Sequence, residues 1–478
     1  MPRQPNILLI LTDHWRGDSL GRTNPVVQTP HLDGLTAQGV NFTRAYTPSP
    51  SCTPARRALM TGMTPTSAGM VGYADNKPWD YTHTLAGELG RHGYQTMNVG
   101  KTHFYPERLR LGFHELVTPQ DYETWIDREI GIKRAKWAHG VGHNTWFSRP
   151  NHLPEYHMEE AWFVDRAIDM VDKRDPTMPF FLCLSFNGPH PPWAPPQVYY
   201  DMFIDREIPQ PVVGAWAQKH ERDGAGALTT DAWRGRVPDH LNHQIRAAYY
   251  AYLAFLDAQI GRLFEAMGNL VDDNCLIAFT SDHGEMLGDH NLWRKTYGYE
   301  SSARIPLIVR PPIDQSQFET TRRQMSVPII GDMLPGPHDF DVEQLVGLED
   351  LMPTLLDAAD APIPDTVEGR SLMPLVRGEQ VPWREYYHIE HSPSYVPTNA
   401  NQTLTDAEWK YIWNPITGED QLFHIQLDPL ELDDLAASNK YHDRVVYWRR
   451  RLAEHLKGRP ENLSDGEHLK TGHVSPWR

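Results

Sequence analysis

The run Asn6-Ile7-Leu8-Leu9-Ile10-Leu11-Thr12-Asp13-His14 is apolar at five consecutive positions and then turns abruptly polar. It is too short for a buried helix. Its lack of alternation means that both faces are covered, which predicts a central strand of a parallel sheet. Such a strand presents Asp13 and His14 at its C-terminal end, the edge where open α/β sheets hold their ligands.

Three later strands likewise deliver polar residues at their C-terminal ends. Residues 94–100 lead into Lys101-Thr102-His103, residues 179–186 into Asn187-Gly188-Pro189-His190, and residues 275–280 into Ser281-Asp282-His283-Gly284. Helical signals fall between them. Residues 29–39 read as a helix with Thr29 as N-cap, Pro30 at the first position and Gly39 as terminator. Residues 84–92, 159–173 and 243–270 carry helical spacing, the last with Ile245, Tyr249, Leu253, Leu256, Ile260 and Leu263 on one face. Residues 40–46 read as a strand, 105–154 as loop and insertion, 214–238 as irregular, 348–359 as helix and 362–382 as a linker. Short strands at 386–390, 409–413 and 421–424 and a closing helix at 443–457 complete the chain. The fold class is α/β, a large, mostly parallel, doubly wound sheet flanked by helices, with a smaller C-terminal α+β domain. The expected division is a catalytic domain over 1–375 and a small domain with a short antiparallel sheet over 376–478.

Composition narrows the function. The 478 residues hold 45 basic against 62 acidic side chains, a net charge of -17, which repels nucleic acid and anionic membrane surfaces. An anionic substrate therefore needs a local basic pocket. The three cysteines, Cys52, Cys183 and Cys275, form no disulfide framework, and the last two sit in apolar strands. The first apolar run is too short for a signal-peptide core and no stretch approaches a membrane span, so the chain reads as cytoplasmic. Nothing in the sequence sets an oligomeric state.

Cys52 is different. In Ser51-Cys52-Thr53-Pro54-Ala55-Arg56-Arg57, Pro54 marks a first helical residue and Gly62 a helix end, so Cys52 lies at a helix mouth where backbone N–H groups attract anions. Arg56 and Arg57 add positive charge. The pattern C-x-P-x-R followed by Thr61-Gly62 resembles the signature of the type I sulfatases of the alkaline phosphatase superfamily. In that family this cysteine becomes formylglycine through a maturation enzyme, and its hydrate attacks the sulfur.

The resemblance implies roles for the strand-end residues. Asp13, His14, Asp282 and His283, with residue 52 itself, resemble the metal ligands. The histidines depart from the commoner Asp, Gln or Asn, so calcium is expected, with manganese or zinc favoured where both imidazoles ligate. Lys101 and His103 resemble the K-x-H pair that holds sulfate and the diol. His190 resembles the histidine at the bridging oxygen, and Lys295, thirteen residues after Asp282, the second lysine. Arg56 would steady the nucleophile. His290 is a further candidate contact, Tyr297, Tyr299 and Glu300 candidates for the mouth, and Trp193, Trp216 and Trp293 candidate stacking faces. Asp428-Pro429-Leu430-Glu431 is similar to a D-P-x-E stretch near the family's C-terminus.

The implied reaction is hydrolysis of a sulfate monoester of a small carbohydrate or aryl alcohol. The nearest alternative is a phosphonate monoester or phosphodiester hydrolase of the same superfamily, whose members tend to lack the K-x-H pair. An inactive anion-binding relative is a second alternative, which retention of the cysteine, both acidic pairs and both lysines disfavours.

Overall fold

The computed structural model describes residues 4–133, 135, 140, 142–221, 232–268, 270, 274–312 and 340–477. Residues 222–231 of the expected irregular stretch lie outside the described residues. The main sheet comprises β1 (Asn6–Thr12), β2 (Val40–Phe42), β3 (Gln95–Gly100), β4 (Glu115–Val117), β5 (Phe180–Ser185), β6 (Cys275–Ser281), β7 (Leu307–Arg310) and β8 (Phe340–Val342). Their order is β8-β2-β7-β6-β1-β5-β3-β4. Strand β7 is antiparallel to both its neighbours, and every other pairing is parallel.

Strand β1 sits at the centre, with Leu9 opposite Cys183 of β5 and Ala278 of β6. Its side chains alternate between two cores. Leu8 and Ile10 share a core with α4 (Glu159–Asp172), α5 (Gln197–Ile204), α6 (Asp239–Met267) and the Leu32–Leu35 face of α1 (Pro30–Gln38). Ile7, Leu9 and Leu11 pack with α2 (Cys52–Thr61), α3 (Leu85–Arg91) and α7 (Leu351–Ala358). The helices therefore cover both faces, as the unbroken apolar runs require. Each such Leu or Ile contributes about 1.5–3 kcal/mol of burial. No described helix is long and apolar enough to cross a membrane.

The structure departs from the sequence reading in several places. Residues 40–46 form two pieces, because the chain changes sheets after Phe42 and Ala45–Tyr46 pairs with Arg304–Ile305 and Val346–Gly347. Pro306, which has no N–H to donate, breaks the partner strand between Ile305 and Leu307. The 105–154 insertion holds β4 and a helix, Pro119–Trp125, started by a Thr118/Asp121 capping box. Helix α6 begins at Asp239, directly after Pro238, and stops before Gly268. The 362–382 stretch is packed, with Leu372, Leu375 and Val376 buried in the second core. The C-terminal sheet has β9 (Tyr387–His391), β10 (Asn401–Thr405), β11 (Lys410–Trp413) and β12 (Asp420–Phe423) in sequential antiparallel order, with α8 (His442–His455) packed on it. Of these strands, β10 is polar in sequence yet wholly buried.

Candidate active site

Helix α2 begins at Cys52, two residues before the expected start, with extended Ser51 as N-cap. Pro54 thus occupies the first turn, where no intrahelical donor is lost. Gly62 closes the helix in a left-handed conformation, φ 66°, and its N–H donates to the Ala58 carbonyl. Cys52 lies where the C-terminal ends of β1, β3, β5 and β6 deliver Asp13, Lys101, His190 and Asp282. One pocket of about 720 Å³ is lined by Cys52, Lys101, His103, His190 and Lys295.

The carboxylates and imidazoles lie beneath it. Asp13, His14, Cys52 and His283 each offer a ligand atom within 4.8 Å of the others, and all four are buried. Cys52 Sγ lies 3.3 Å from His283 Nε2 and 3.6 Å from each Asp13 oxygen. His283 Nδ1 is engaged by the Gly284 carbonyl at 2.8 Å, which leaves Nε2 facing Asp13 Oδ1 at 3.3 Å. Asp282 stands beside this set. Its Oδ2 accepts from Arg56 Nε at 2.9 Å, and its Oδ1, buried and without a hydrogen-bond partner among the described residues, lies 3.6 Å from His283 Nε2. Two buried carboxylates, one with an orphaned oxygen, and two inward imidazole nitrogens form a donor set that fits a divalent cation.

Cations enclose the same point. Lys101 Nζ pairs with Asp13 Oδ2. Lys295 Nζ donates to His14 Nε2 at 2.7 Å and to Cys52 Sγ at 3.1 Å. Arg56 Nη1 donates to the Lys101 carbonyl and to Ser185 Oγ, each at 2.8 Å, and Nη2 has no partner among the described residues. Burial and Asp13 resist a thiolate at Cys52, but Lys295, Lys101 and His283 outweigh them and pull it down to about 6. Burial opposes the charge on Asp13, yet Lys101, His14, His190 and Lys295 hold it well below the usual carboxylate range. Burial, with Asp13 nearby, pushes Asp282 up to about 6. Burial first, then Lys295, keeps His14 and His190 neutral, whereas burial and Lys101 do so for His103.

Two site histidines, His14 at φ 68° and His103 at φ 58°, adopt the left-handed conformation that is costly for a side-chain-bearing residue. His103 Nδ1 is buried without a partner among the described residues. His190 Nδ1 is engaged by the Pro191 carbonyl at 2.6 Å, and its ring lies 4.5 Å from that of His14 and stacks on His143 at 4.5 Å.

Several sequence candidates lie elsewhere. Arg57 points away from the pocket, donating to Tyr81 and the Lys77 and Pro78 carbonyls beneath the Trp79 and Trp477 rings. His290 accepts from Gly214 N and packs on Trp216. Trp193 and Trp293 are buried in the first core. Tyr297 and Tyr299 line a different cavity, and Glu300 is bound by Lys410. Conversely, Glu285, Ser185, His143 and Tyr395 belong to the site or its lining although sequence reasoning passed over them. Only Glu285 carried a signal, its place directly after Asp282-His283-Gly284.

A family profile described as Sulfatase matches residues 5–361, and one described as N-sulphoglucosamine sulphohydrolase, C-terminal, matches residues 324–458. The chain is 36% identical to an arylsulfatase of Clostridium perfringens, over 98% of each chain. It is 30% identical to a choline-sulfatase of Rhizobium meliloti, over 91% of this chain and 82% of the relative. In fold it matches a phosphonate monoester hydrolase of Agrobacterium radiobacter with a TM-score of 0.77 at 24% identity, covering 98% and 99% of the two chains. A chain solved in complex with its substrate D-glucosamine-2-N,6-O-disulfate matches with a TM-score of 0.73 at 20% identity, covering 98% and 100%.

Proposed function

The chain belongs to the sulfatase family and is a sulfuric ester hydrolase, and on that premise we propose how its pocket hydrolyses a sulfate monoester to an alcohol and inorganic sulfate. The observation that carries the proposal is the buried convergence of Asp13, His14, Cys52 and His283 at the N-terminus of α2, with Lys101 and Lys295 in contact with them. Residues 1–375 act as the catalytic part, and residues 376–478 support the segment bearing Lys295 through Asn401 and Lys410.

Asp13, His14, Asp282 and His283, with residue 52, would hold a divalent ion, which when bound offsets the charge of the sulfuryl oxygens and polarises the attacking oxygen. Two imidazole nitrogens in the donor set favour manganese or zinc over calcium, the ion expected from the resemblance. Cys52 Sγ marks the position that formylglycine oxygens would take after a maturation enzyme acts, and that modified residue supplies the nucleophile.

The remaining residues act on charge and protons. Arg56, fixed by Asp282 and Ser185, orients residue 52. Lys101 holds a sulfuryl oxygen once Asp13 is engaged otherwise. Lys295 is the charged donor for the bridging oxygen; in the unmodified chain Cys52 and Asp13 hold its proton on against the opposing effect of burial, and Asp13 remains to do so once residue 52 is formylglycine. His190 presents Nε2 to the same oxygen, and the negative charge of a bound ester counteracts the burial that keeps it neutral. His103, neutral with Nδ1 unpaired, takes a proton from residue 52 as sulfate leaves.

The substrate class follows the arylsulfatase relative and the N-sulphoglucosamine sulphohydrolase match over residues 324–458, and is a small carbohydrate or aryl sulfate. The test is mass spectrometry of the Cys52 peptide together with turnover of nitrophenyl sulfate and a phenylphosphonate monoester. Formylglycine with faster sulfate release is expected. Faster phosphonate turnover would transfer the assignment to the phosphonate hydrolases, whose likeness here lies in the fold.

A further inference from the structure

Until it is modified, residue 52 is a cysteine, and with sulfur in place the cluster around it has the proportions of a tetrahedral zinc site. Zinc bonds of about 2.0–2.3 Å to nitrogen, oxygen and sulfur set the edges of such a tetrahedron at about 3.3–3.6 Å. Asp13 Oδ1 lies 3.6 Å from Cys52 Sγ, 3.3 Å from His283 Nε2 and 3.7 Å from His14 Nε2. Cys52 Sγ lies 3.3 Å from His283 Nε2, and the two remaining separations are within 4.8 Å. Little movement is needed to close the set on one ion.

The four atoms are presented for it. The Gly284 carbonyl, 2.8 Å from His283 Nδ1, and Glu285 Oε2, 2.6 Å from His14 Nδ1, keep the ring protons on Nδ1 and turn both Nε2 lone pairs inward. Lys101 engages Asp13 Oδ2, which leaves Oδ1 to the imidazoles and the sulfur. Lys295 Nζ stands where a cation would, donating to His14 Nε2 at 2.7 Å and to Cys52 Sγ at 3.1 Å. Because Lys295 also lines the reaction pocket, its ammonium can withdraw there and open the way for an ion.

Charge and softness select the ion. One carboxylate and one thiolate cancel the two charges of zinc, which limits the cost of burying it among side chains no more than 1% exposed. Asp282 is not needed, since Arg56 holds its Oδ2 at 2.9 Å and four ligands complete a zinc site. Thiolate favours zinc over manganese and calcium.

We propose that the chain with Cys52 unmodified binds zinc through Asp13 Oδ1, His14 Nε2, Cys52 Sγ and His283 Nε2. Binding forms four bonds to the ion and breaks the two Lys295 hydrogen bonds, and any proton still on the sulfur passes to solvent. Conversion to formylglycine replaces the soft donor with oxygen and so moves the preference from zinc toward manganese. The zinc site stands on the unmodified chain alone, and only the shift on conversion rests on the sulfatase reading.

The test uses the full chain, produced without a maturation enzyme, shown by mass to retain cysteine, stripped with chelator and titrated with zinc and with cobalt as its spectroscopic stand-in. Equimolar binding is expected, with a near-ultraviolet thiolate-to-cobalt charge-transfer band and the intense visible bands of a tetrahedral ion. Cys52→Ser should lose the charge-transfer band and bind zinc at least tenfold more weakly, whereas Cys183→Ala and Cys275→Ala keep both. Lys295→Met removes the competing ammonium and should tighten zinc at least fivefold. Cobalt bound without the charge-transfer band, a band that survives Cys52→Ser, no equimolar zinc, or zinc held no tighter by Lys295→Met overturns the proposal. A converted chain with the same zinc-to-manganese preference as the cysteine form overturns the shift. Absence of sulfate turnover by the converted chain counts against the sulfatase reading and leaves the zinc site standing.

Discussion

Glu285 and His14 form a wholly buried carboxylate–imidazole pair, with Glu285 Oε2 2.6 Å from His14 Nδ1. The other Glu285 oxygen accepts from Leu287 N at 3.1 Å and Arg294 N at 2.5 Å. One side chain thus ties the end of β1 to the loop carrying Lys295. That loop needs the restraint, because Leu287, His290, Asn291, Arg294 and Thr296 all have positive φ.

The pair fixes the proton of His14 on Nδ1 and turns Nε2 toward Asp13, an arrangement that raises ligand basicity at metal sites. Glu285→Gln keeps the shape but has one carbonyl oxygen for the duties of two. Affinity for manganese, measured by chelator competition, is expected to fall about 10- to 100-fold. Unchanged affinity would restrict Glu285 to holding the loop.

Metal selectivity follows from the two imidazoles. After chelation, titration calorimetry is expected to show manganese or zinc binding more tightly than calcium. His283→Asn replaces a nitrogen donor with oxygen, so the affinity ratio should move toward calcium by about tenfold or more. A wild type that prefers calcium would remove His14 and His283 together from the ligand set.

Leaving-group assistance matters most when the alcohol is a poor leaving group. For alkyl sulfates, His190→Ala and Lys295→Ala are each expected to lower kcat by about 10²–10⁴, the range of a general acid. Nitrophenolate needs little protonation, so the His190→Ala loss there should stay below about tenfold. Equal losses on both substrates would give His190 a role in positioning rather than in proton donation.

The strands bearing the site were legible because β1, β5 and β6 are unbroken apolar runs with polar ends, a pattern that covering both faces imposes. Side-chain direction was less so. Arg56 and Arg57 are equivalent in sequence, but successive helical residues diverge by about 100°, and one meets Asp282 while the other meets Tyr81. Strand β10 escaped notice because Asn401, Gln402 and Thr403 pair with buried polar partners that only the fold supplies. Glu285 was hidden for the same reason, its partner His14 lying 271 residues away.

Asp257 of α6 provides a test of stability remote from the pocket. It is 1% exposed, and its carboxylate oxygens accept from His31 N at 3.1 Å and Leu32 N at 2.9 Å, capping α1 where the N-cap Thr29 side chain does not. Burial outweighs those two hydrogen bonds and, with Asp33 nearby, pushes the carboxyl up to about 7 from 3.8. Between those values the unfolded chain has released the proton and the folded chain retains it. The contribution to stability is therefore complete below pH 3.8, declines as pH rises, and is gone above about 7, a span of roughly 4 kcal/mol at most. Asp257→Asn keeps one acceptor oxygen and cannot ionise. Urea midpoints at pH 5 and pH 7.5 should therefore fall with rising pH more steeply in the wild type than in the variant. Parallel profiles would mean that Asp257 is ionised in the fold throughout, with the two α1 N–H groups sufficient to hold its charge.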